Sequence, residues 1–302
     1  MLTLRSTAAL ACAAAIAAAA GAAPHAWGFD AHRFVVSQAI ELLPGEIRPF
    51  FIKHRVSLVE HAIDPDLWRN AGWTAEPPRH FLDLDAYGEP PYNALPRDYD
   101  QAVAKFGREM VDRNGLLPWR LEEMYGKLVG AFADQKAGRP FAPENIKFFT
   151  SVVAHYVSDA HVPLHAVVNY DGQLTGQQGI HSRLETELFE RYQSKLAIRP
   201  VKVAITSTPR DFAFDTLITS AGLADEVLAA DLAAIGDGEV YDDAYFDRLF
   251  ARLGPMLERR VNESIASIAA IVTRAWEEAG KPELPVNPPP REPRKRRAEA
   301  TK

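Results

Sequence analysis

The segment VVAHYVSDAHVPLH, residues 152–165, places three histidines and one aspartate within fourteen positions. His155 and Asp159 are four residues apart, so in a helix their side chains share one face and can reach a single metal ion. Pro163 is expected to end that helix and to leave His165 on the turn that follows. Because imidazole nitrogens and carboxylate oxygens are ligands that zinc takes in proteins, this spacing predicts a metal site.

A second pair with the same spacing follows a glycine-containing loop. In GIHSRLETELFE, His181 and Glu185 are again four residues apart. One such pair is weak evidence, because a solvated His–Glu helix face is commoner than a pair of ligands. Two pairs together with His165 favour metal binding. His161 is expected to make a hydrogen bond at the edge of this site, and His54 and His61 are expected on a surface helix.

Apolar residues recur at three- and four-residue spacing through most of the chain, which predicts helices. The only strand-like run is PVKVAITS, residues 200–207, and it is short. We therefore expect a single, mostly helical all-α domain with long loops around the site. The helical segments predicted in this way are 33–43, 99–113, 117–135, 143–160, 181–196 and 256–279.

The two ends of the chain differ in composition from the middle. Residues 1–26 carry Arg5 and then an alanine-rich apolar run, which is typical of a secretory signal peptide. Cys12, the single cysteine, lies inside that run, so the mature chain is expected to contain no thiol. Residues 281–302 are rich in proline and then in basic residues, which predicts a flexible tail. The folded domain is accordingly expected at residues 27–280.

The charge balance restricts the kind of partner that the domain can bind. The chain has a net charge of −6, and residues 27–280 carry −11 once Arg5 and the seven basic and three acidic residues of the tail are set aside. A domain this acidic does not fit an ordinary nucleic-acid-binding protein, because affinity for phosphates needs positive charge. Several bound divalent cations would offset the negative charge. The sequence predicts no transmembrane segment, since no second long apolar run follows the first, and it indicates no obligate protein partner.

Three further stretches make the pattern of candidate ligands more specific. WGFDAHRF carries His32, HAIDPDLWR carries Asp66 and Arg69, and EPPRHFLDLD carries His80 and Asp83. Together with the two spaced pairs, they resemble the superfamily of zinc-dependent phospholipases C and single-strand-specific nucleases. The resemblance extends from Trp27 to about Tyr192, and it implies an all-α fold around a trinuclear zinc site.

The resemblance also implies which residues bind each of the three Zn²⁺ ions. Two points condition this assignment. Asp64 is an alternative to Asp66 as a ligand of the first ion, and the amine of Trp27 can bind the third ion only if cleavage falls exactly before Trp27. The first ion would be bound by Asp66, His80, His155 and Asp159, the second by His165, His181 and Glu185, and the third by His32, by Asp159 as a bridge, and by the amine and carbonyl of Trp27.

A zinc site of this kind implies hydrolysis of a phosphate ester by an activated water molecule. The resemblance makes Asp66, Arg69 and Asp159 the candidate catalytic residues. Arg69 would bind a phosphate oxygen, and Asp83 would either orient the substrate or cap a loop. A phospholipase C-like phosphodiesterase is favoured, with a single-strand-specific nuclease as the close alternative and a non-catalytic zinc-binding protein as another. The signal peptide predicts a periplasmic or secreted protein.

Overall fold

The computed structural model describes residues 28–238 and 240–287 of the 302-residue chain. The predicted signal peptide (1–26), the predicted ligand Trp27 and residues 288–302 of the predicted tail lie outside the described residues. The structure therefore bears on the helical domain and on eight of the nine candidate ligands.

The described residues form one mostly helical domain, which confirms the fold class predicted from the sequence. Short 3₁₀ turns and one π-helical segment, Arg183–Leu188, connect the α-helices. The α-helices are α1 Phe29–Leu42, α2 Arg48–Lys53, α3 Arg55–Glu60, α4 Asp64–Asn70, α5 Tyr99–Phe106, α6 Arg108–Arg113, α7 Leu117–Lys136, α8 Ala142–Ala160, α9 Ile180–Ser182, α10 Phe189–Tyr192, α11 Pro209–Ala221, α12 Ala224–Ile235 and α13 Asp243–Glu278.

Helix α8 lies at the centre of the domain. It packs against α7 and also contacts α1, α3, α11 and α13. Every residue from 150 to 160 is buried, including the polar ones. Neighbouring helices therefore cover α8 on all sides near its carboxyl end, and any polar side chain there must find its partners inside the protein.

Helix α13 is the longest element and forms the other side of the core. It contacts α1, α7, α8 and α12 along its 36 residues. Asp242 caps its amino end, because the Asp242 side chain accepts a hydrogen bond from the backbone of Tyr245. Apolar side chains from Tyr245 to Trp276 are buried on one face, so α13 supports the helices that carry the candidate ligands.

Two predicted elements differ from the observed ones. Residues 200–207 were predicted as the best strand candidate, but they form no strand, and no other strand occurs in the described parts of the chain. A strand needs a partner for its backbone groups, and residues 28–238 and 240–287 contain no second strand that could supply one. The predicted helix 99–113 is split into α5 and α6 at Gly107, whose φ of +83° belongs to the left-handed region.

The first residues of the predicted tail pack on the domain. The indole nitrogen of Trp276 donates a hydrogen bond to the carbonyl of Pro282 at 2.9 Å, and Leu284 is buried. Lys53 Nζ donates to Asn287 Oδ1 at 2.9 Å. Among the helices of the described ranges, none combines the length and apolarity that crossing a membrane requires.

Candidate metal centre

Helix α8 supplies two of the candidate ligands from the centre of the protein. His155 and Asp159 are both fully buried, and His155 Nε2 lies 3.2 Å from Asp159 Oδ2. His155 Nδ1 lies 2.8 Å from the carbonyl oxygen of Ala62, to which it donates. This hydrogen bond places a proton on Nδ1 and leaves Nε2, which faces Asp159, as the nitrogen that a metal ion would bind.

Three other segments bring ligand atoms to the same place, and we call the resulting group the first cluster: His32, Asp66, His80, His155 and Asp159. The ligand atoms of His32, Asp66 and His155 all lie within 4.8 Å of one another, and so do those of His80, His155 and Asp159. All five side chains are buried. The first cluster thus unites residues from α1, α4, the turn after Pro77–Arg79, and α8.

The two carboxylate oxygens of Asp159 face different histidines. Oδ2 lies 3.1 Å from His80 Nδ1 and 3.2 Å from His155 Nε2, whereas Oδ1 lies 3.4 Å from His32 Nε2. Asp159 Oδ1 has no hydrogen-bond partner among the described residues. A carboxylate whose oxygens point to different ligand sets is suited to bridge two cations.

The ring of His32 is held by a residue of α8. Ser158 Oγ donates to the carbonyl oxygen of His155 at 2.8 Å, so its lone pair remains to accept a hydrogen bond from His32 Nδ1 at 2.7 Å. His32 Nε2 therefore carries a lone pair, and it finds no hydrogen-bond partner within residues 28–238 and 240–287. A buried nitrogen without a partner is costly, and a bound cation would remove that cost.

His165, His181 and Glu185 form a separate group, which we call the second cluster. His181 Nε2 lies 3.1 Å from Glu185 Oε2, His165 Nε2 lies 3.5 Å from Glu185 Oε1, and the two Nε2 atoms are 3.3 Å apart. The Nδ1 atoms donate to backbone carbonyls, that of His165 to His80 at 2.6 Å and that of His181 to Tyr170 at 3.0 Å. All three ligand atoms therefore converge on one point, as a metal site requires.

The backbone that carries the second cluster is irregular. His165 lies in the 3₁₀ turn Pro163–Ala166, which follows the end of α8 at Ala160. His181 lies in α9, and Glu185 lies in the π-helical segment Arg183–Leu188. π-Helical turns are rare and occur often at functional sites.

Buried charges shift the pKa values of both clusters. Burial raises the pKa of Asp159, but His155 and His165 outweigh burial and hold it well below its usual range. Burial also raises the pKa of Glu185, and His181 and His165 outweigh it in the same way. Both carboxyl groups are therefore ionised at neutral pH, as metal ligands must be.

The pKa values of His165 and His32 are shifted in opposite directions. Burial lowers the pKa of His165, but Glu185 and Asp159 raise it more, to about 9. For His32, burial together with His155 lowers the pKa well below its ordinary value. A cation entering the second cluster must displace the proton of His165, whereas His32 already offers a free lone pair.

Asp66 and Arg69 lie next to each other on α4. Arg69 Nη2 lies 3.3 Å from Asp66 Oδ1, and the Arg69 side chain retains a small exposed surface. Asp64, the alternative ligand, points elsewhere: its Oδ2 lies 2.8 Å from His61 Nδ1 near the surface. The structure thus brings Asp66 into the first cluster and leaves Asp64 outside.

Asp83 lies outside both clusters, in a nearly buried position. Burial, together with the charge of Asp85, raises the pKa of Asp83 to about 7, although His165 opposes the shift. Its Oδ1 atom has no hydrogen-bond partner within the described part of the chain.

His161 and His54 are not part of either cluster. His161, which directly follows α8, donates from Nδ1 to the carbonyl of Val157 in that helix at 2.8 Å, and its Nε2 lies 3.3 Å from Ser267 Oγ. Burial and the charge of Arg260 lower the pKa of His161 to about 3, so this imidazole is neutral. The hydrogen bonds of His161 therefore anchor α8 to α13 and involve no side chain of the clusters.

The start of α1 contacts the segment that carries Glu185. The backbone N–H of Gly28 donates to the carbonyl of Glu185 at 3.3 Å. A Cβ atom on Gly28 would lie 2.6 Å from Thr186 Oγ1, so this close approach requires glycine. Trp27, predicted as a ligand through its amine and carbonyl, lies outside the described residues.

The sequence analysis did not identify several buried residues that contact the candidate ligands or the segments that carry them. Glu76 is fully buried, accepts a hydrogen bond from the hydroxyl of Tyr156, and has Oε1 at 3.9 Å from His80 Nε2. Arg183 forms an ion pair with Asp231 of α12 at 3.1 Å. Asp231 lies among the buried positions of α12, and an acidic residue on an apolar helix face was the available signal.

No protein-family model matches the chain, and a search of curated proteins likewise finds no match. What the arrangement can do chemically therefore follows from its geometry. Buried imidazole and carboxylate groups meet in two neighbouring clusters, which could hold metal ions.

Proposed function

We propose that the chain is an exported zinc-dependent hydrolase of phosphate esters, similar to the phospholipases C and single-strand-specific nucleases that its motifs resemble. The observation that carries the proposal is the pair of adjacent clusters, in which buried ligand atoms converge and several of them, such as His32 Nε2, Asp159 Oδ1 and both Glu185 oxygens, have no hydrogen-bond partner in the described chain. A structural zinc site is closed by four protein ligands, whereas the second cluster supplies three. That difference supports a site that is open to a substrate.

Zinc fits these residues better than a harder cation does. Five of the eight described candidate ligands are imidazoles, and magnesium and calcium prefer oxygen. Asp159 Oδ1 lies 3.4 Å from His32 Nε2 and Asp159 Oδ2 lies 3.1 Å from His80 Nδ1, and this arrangement supports a proposal of two ions in the first cluster. With one ion in the second cluster, the proposed number of ions is three.

The residues around the clusters suit hydrolysis of a phosphodiester. When bound, the ions supply Lewis-acid activation of water and neutralise charge that develops on phosphate oxygens. In the reaction water attacks phosphorus, the bond from phosphorus to the leaving alcohol breaks, and the alcohol oxygen takes up a proton.

Two residues on α4 have distinct roles in this proposal. Asp66 Oδ2 is buried, has no hydrogen-bond partner in the described ranges, and would accept the proton of the attacking water. Arg69 would donate two hydrogen bonds to a non-bridging phosphate oxygen pair, which the planar guanidinium can do and an ammonium group cannot. Asp83 would contact the substrate outside the clusters.

The experiment that tests the proposal is an assay of the zinc-loaded chain against phosphatidylcholine and against single-stranded DNA. We expect hydrolysis, strongest with phosphatidylcholine, that is lost on chelation and restored by zinc. Arg69→Lys should lower the rate at unchanged zinc content. A preparation that binds zinc and hydrolyses neither substrate would favour the non-catalytic zinc-binding protein.

Export and processing form a second part of the proposal. We propose that residues 1–26 direct export and are removed before Trp27, which frees the amine that the third ion would need. N-terminal sequencing of the exported protein should give Trp27 as the first residue. A start at Pro24 would overturn the terminal amine as a ligand.

A further inference from the structure

The backbone that carries the second cluster is irregular and needs contacts from other parts of the protein to hold its position. The loop before His181 contains three glycines with left-handed φ angles: Gly172, Gly176 and Gly179. After this loop come only the three residues of α9 and then a π-helical segment. Glycine-rich loops and π turns are not stable alone, so other contacts must fix where His181 and Glu185 point.

Arg183, which lies between these two candidate ligands, ties the loop to the rest of the protein. Its Nη1 donates to the carbonyl of Gln178 at 2.9 Å, and its Nη2 donates to the carbonyl of Gln177 at 3.1 Å. Its Nε donates to the hydroxyl of Tyr245 at 3.1 Å, and its guanidinium lies 3.8 Å from the ring centroid of Tyr241. One buried guanidinium thus holds two consecutive carbonyls of the loop.

Asp231 of α12 completes the arrangement, which we call the Arg183 network: Arg183, Asp231, Gln177 and Tyr245. Asp231 Oδ1 accepts hydrogen bonds from Arg183 Nη2 at 3.1 Å and from the hydroxyl of Tyr245. Asp231 Oδ2 accepts from Gln177 Nε2 at 2.7 Å. The carboxylate therefore holds the loop twice, through the Gln177 side chain and through Arg183.

The close fit of Gly179 shows how tightly this network grips the loop. A Cβ atom on Gly179 would lie 2.9 Å from Arg183 Nη1, so the guanidinium packs directly against the glycine. On the other side, Asp171 Oδ1 accepts hydrogen bonds from the backbone N–H groups of Gly179 and His181, at 3.0 and 3.3 Å. The turn that leads into His181 is thus fixed from both sides.

A fully buried ion pair gives little net stability, because desolvation offsets the attraction between the charges. Such a pair can instead select one geometry when all of its hydrogen bonds are made. Here the geometry that it selects is that of the turn before His181. We propose that Arg183 and Asp231 are positioning residues that hold His181 and Glu185 at the distance from His165 that a single metal ion requires.

The proposal rests on metal binding by the second cluster, as put forward above, and it does not depend on which substrate is hydrolysed. It assigns a role in metal affinity to α12, a helix that carries none of the candidate ligands. Outer contacts of this kind commonly change metal affinity by about ten- to a hundredfold.

The test compares the zinc affinity of Asp231→Asn with that of the unaltered chain, by competition with a chromophoric chelator. His181→Ala serves as the reference for loss of the second-cluster ion. We expect Asp231→Asn to weaken that same ion by about tenfold or more, with the affinity of the remaining ions unchanged. Wild-type affinity for every ion in a folded Asp231→Asn protein would overturn the proposal.

Val227→Ala is the matched control, because Val227 is fully buried in the same helix and takes no part in the network. It should lower the unfolding free energy while the zinc affinity stays unchanged. If it weakens zinc binding as much as Asp231→Asn does, the effect is general destabilisation and the proposal fails.

Tyr245→Phe keeps the test open if Asp231→Asn does not fold, since it removes a single hydroxyl from the network. It should weaken the same ion by a smaller factor, and unchanged zinc affinity in this variant would then overturn the proposal. Because the readout is zinc affinity, a chain that binds zinc without hydrolysing any substrate would contradict the proposed function and leave this inference intact.

Discussion

The first and second clusters use the same side-chain types but differ in what holds them in place. In the first cluster, His155 and Asp159 project from the buried half of α8, and a serine and a carbonyl hold the histidine rings. In the second, two of the three ligands lie on α9 and on a π-helical segment after a glycine-rich loop. A regular, buried helix positions ligands by its own geometry, whereas an irregular segment needs contacts from distant residues.

The two clusters also differ in which contacts would be lost if their ligands moved. Moving α8 would disrupt the packing of six other α-helices, so its ligands are fixed by the core itself. Moving the segment around His181 would break the hydrogen bonds of the Arg183 network. We therefore expect the first cluster to tolerate changes at its periphery better than the second.

The largest effect is expected from Asp159→Asn, which removes the carboxylate that faces both sides of the first cluster. The variant keeps the shape of the side chain but loses the charge that would offset the two proposed cations. We expect kcat/KM for phosphodiester hydrolysis to fall by at least about a hundredfold, with loss of bound zinc. Near-normal turnover at full zinc content would show that Asp159 is no bridge.

The second prediction concerns the pH dependence of zinc binding by the second cluster. The pKa of His165 is raised to about 9, so zinc must displace a proton from the second cluster below that pH. The pKa of His32 is lowered, and no proton has to leave that residue. Zinc affinity of the second cluster should therefore decrease as pH falls below 9, by up to about tenfold per unit.

Zinc titrations between pH 7 and 9 on the unaltered chain and on His181→Ala check this prediction. His181→Ala should lose the part of this pH dependence that belongs to the second cluster. An affinity that stays constant over this range would mean that His165 holds no proton that zinc displaces.

The third prediction compares two glycines of the same loop. Gly179→Ala forces a left-handed residue at φ +87° to carry a Cβ atom against Arg183 Nη1. We expect a loss of about 1–2 kcal/mol of unfolding free energy from the backbone, together with weaker zinc binding at the second cluster.

Gly176→Ala is the control, because its φ is +75° but nothing lies within 4 Å of the added Cβ. It should show the backbone cost in thermal or denaturant unfolding without the loss of zinc affinity. Equal zinc affinities for the two variants would mean that crowding the guanidinium of Arg183 leaves the second cluster unchanged.

The smallest effect is expected from Asp64→Asn, which changes the acidic residue that the first cluster leaves out. Asp64 pairs with His61 near the surface, and exposed ion pairs contribute about 0–1 kcal/mol. Zinc content and hydrolysis should stay close to those of the unaltered chain. A loss of zinc would exchange the roles of Asp64 and Asp66.

The two spaced pairs of ligands show which part of the site can be predicted from the sequence. The four-residue spacing of His155 and Asp159 predicts their shared face because α8 is a regular helix. His181 and Glu185 also end up close together, although the segment between them is partly π-helical. The spacing is therefore informative even where the predicted local structure is not the observed one.

The rest of the site depends on tertiary packing that no local pattern records. Arg183 and Asp231 are 48 residues apart, and they meet only because α12 packs beside the loop before His181. Likewise, strand propensity in residues 200–207 produces no strand, since propensity cannot act without a partner strand. Long-range contacts were thus the part of the fold that the sequence left open.

Elemental analysis of the chain, processed to begin at Trp27 as proposed, purified without chelator and saturated with zinc, tests the central claim most directly. Two neighbouring clusters and a bridging Asp159 predict about three zinc ions per chain, and His181→Ala should contain one fewer. A single ion in the saturated protein would overturn the trinuclear site. No bound zinc at all would contradict the view that these buried histidines and carboxylates form a metal centre.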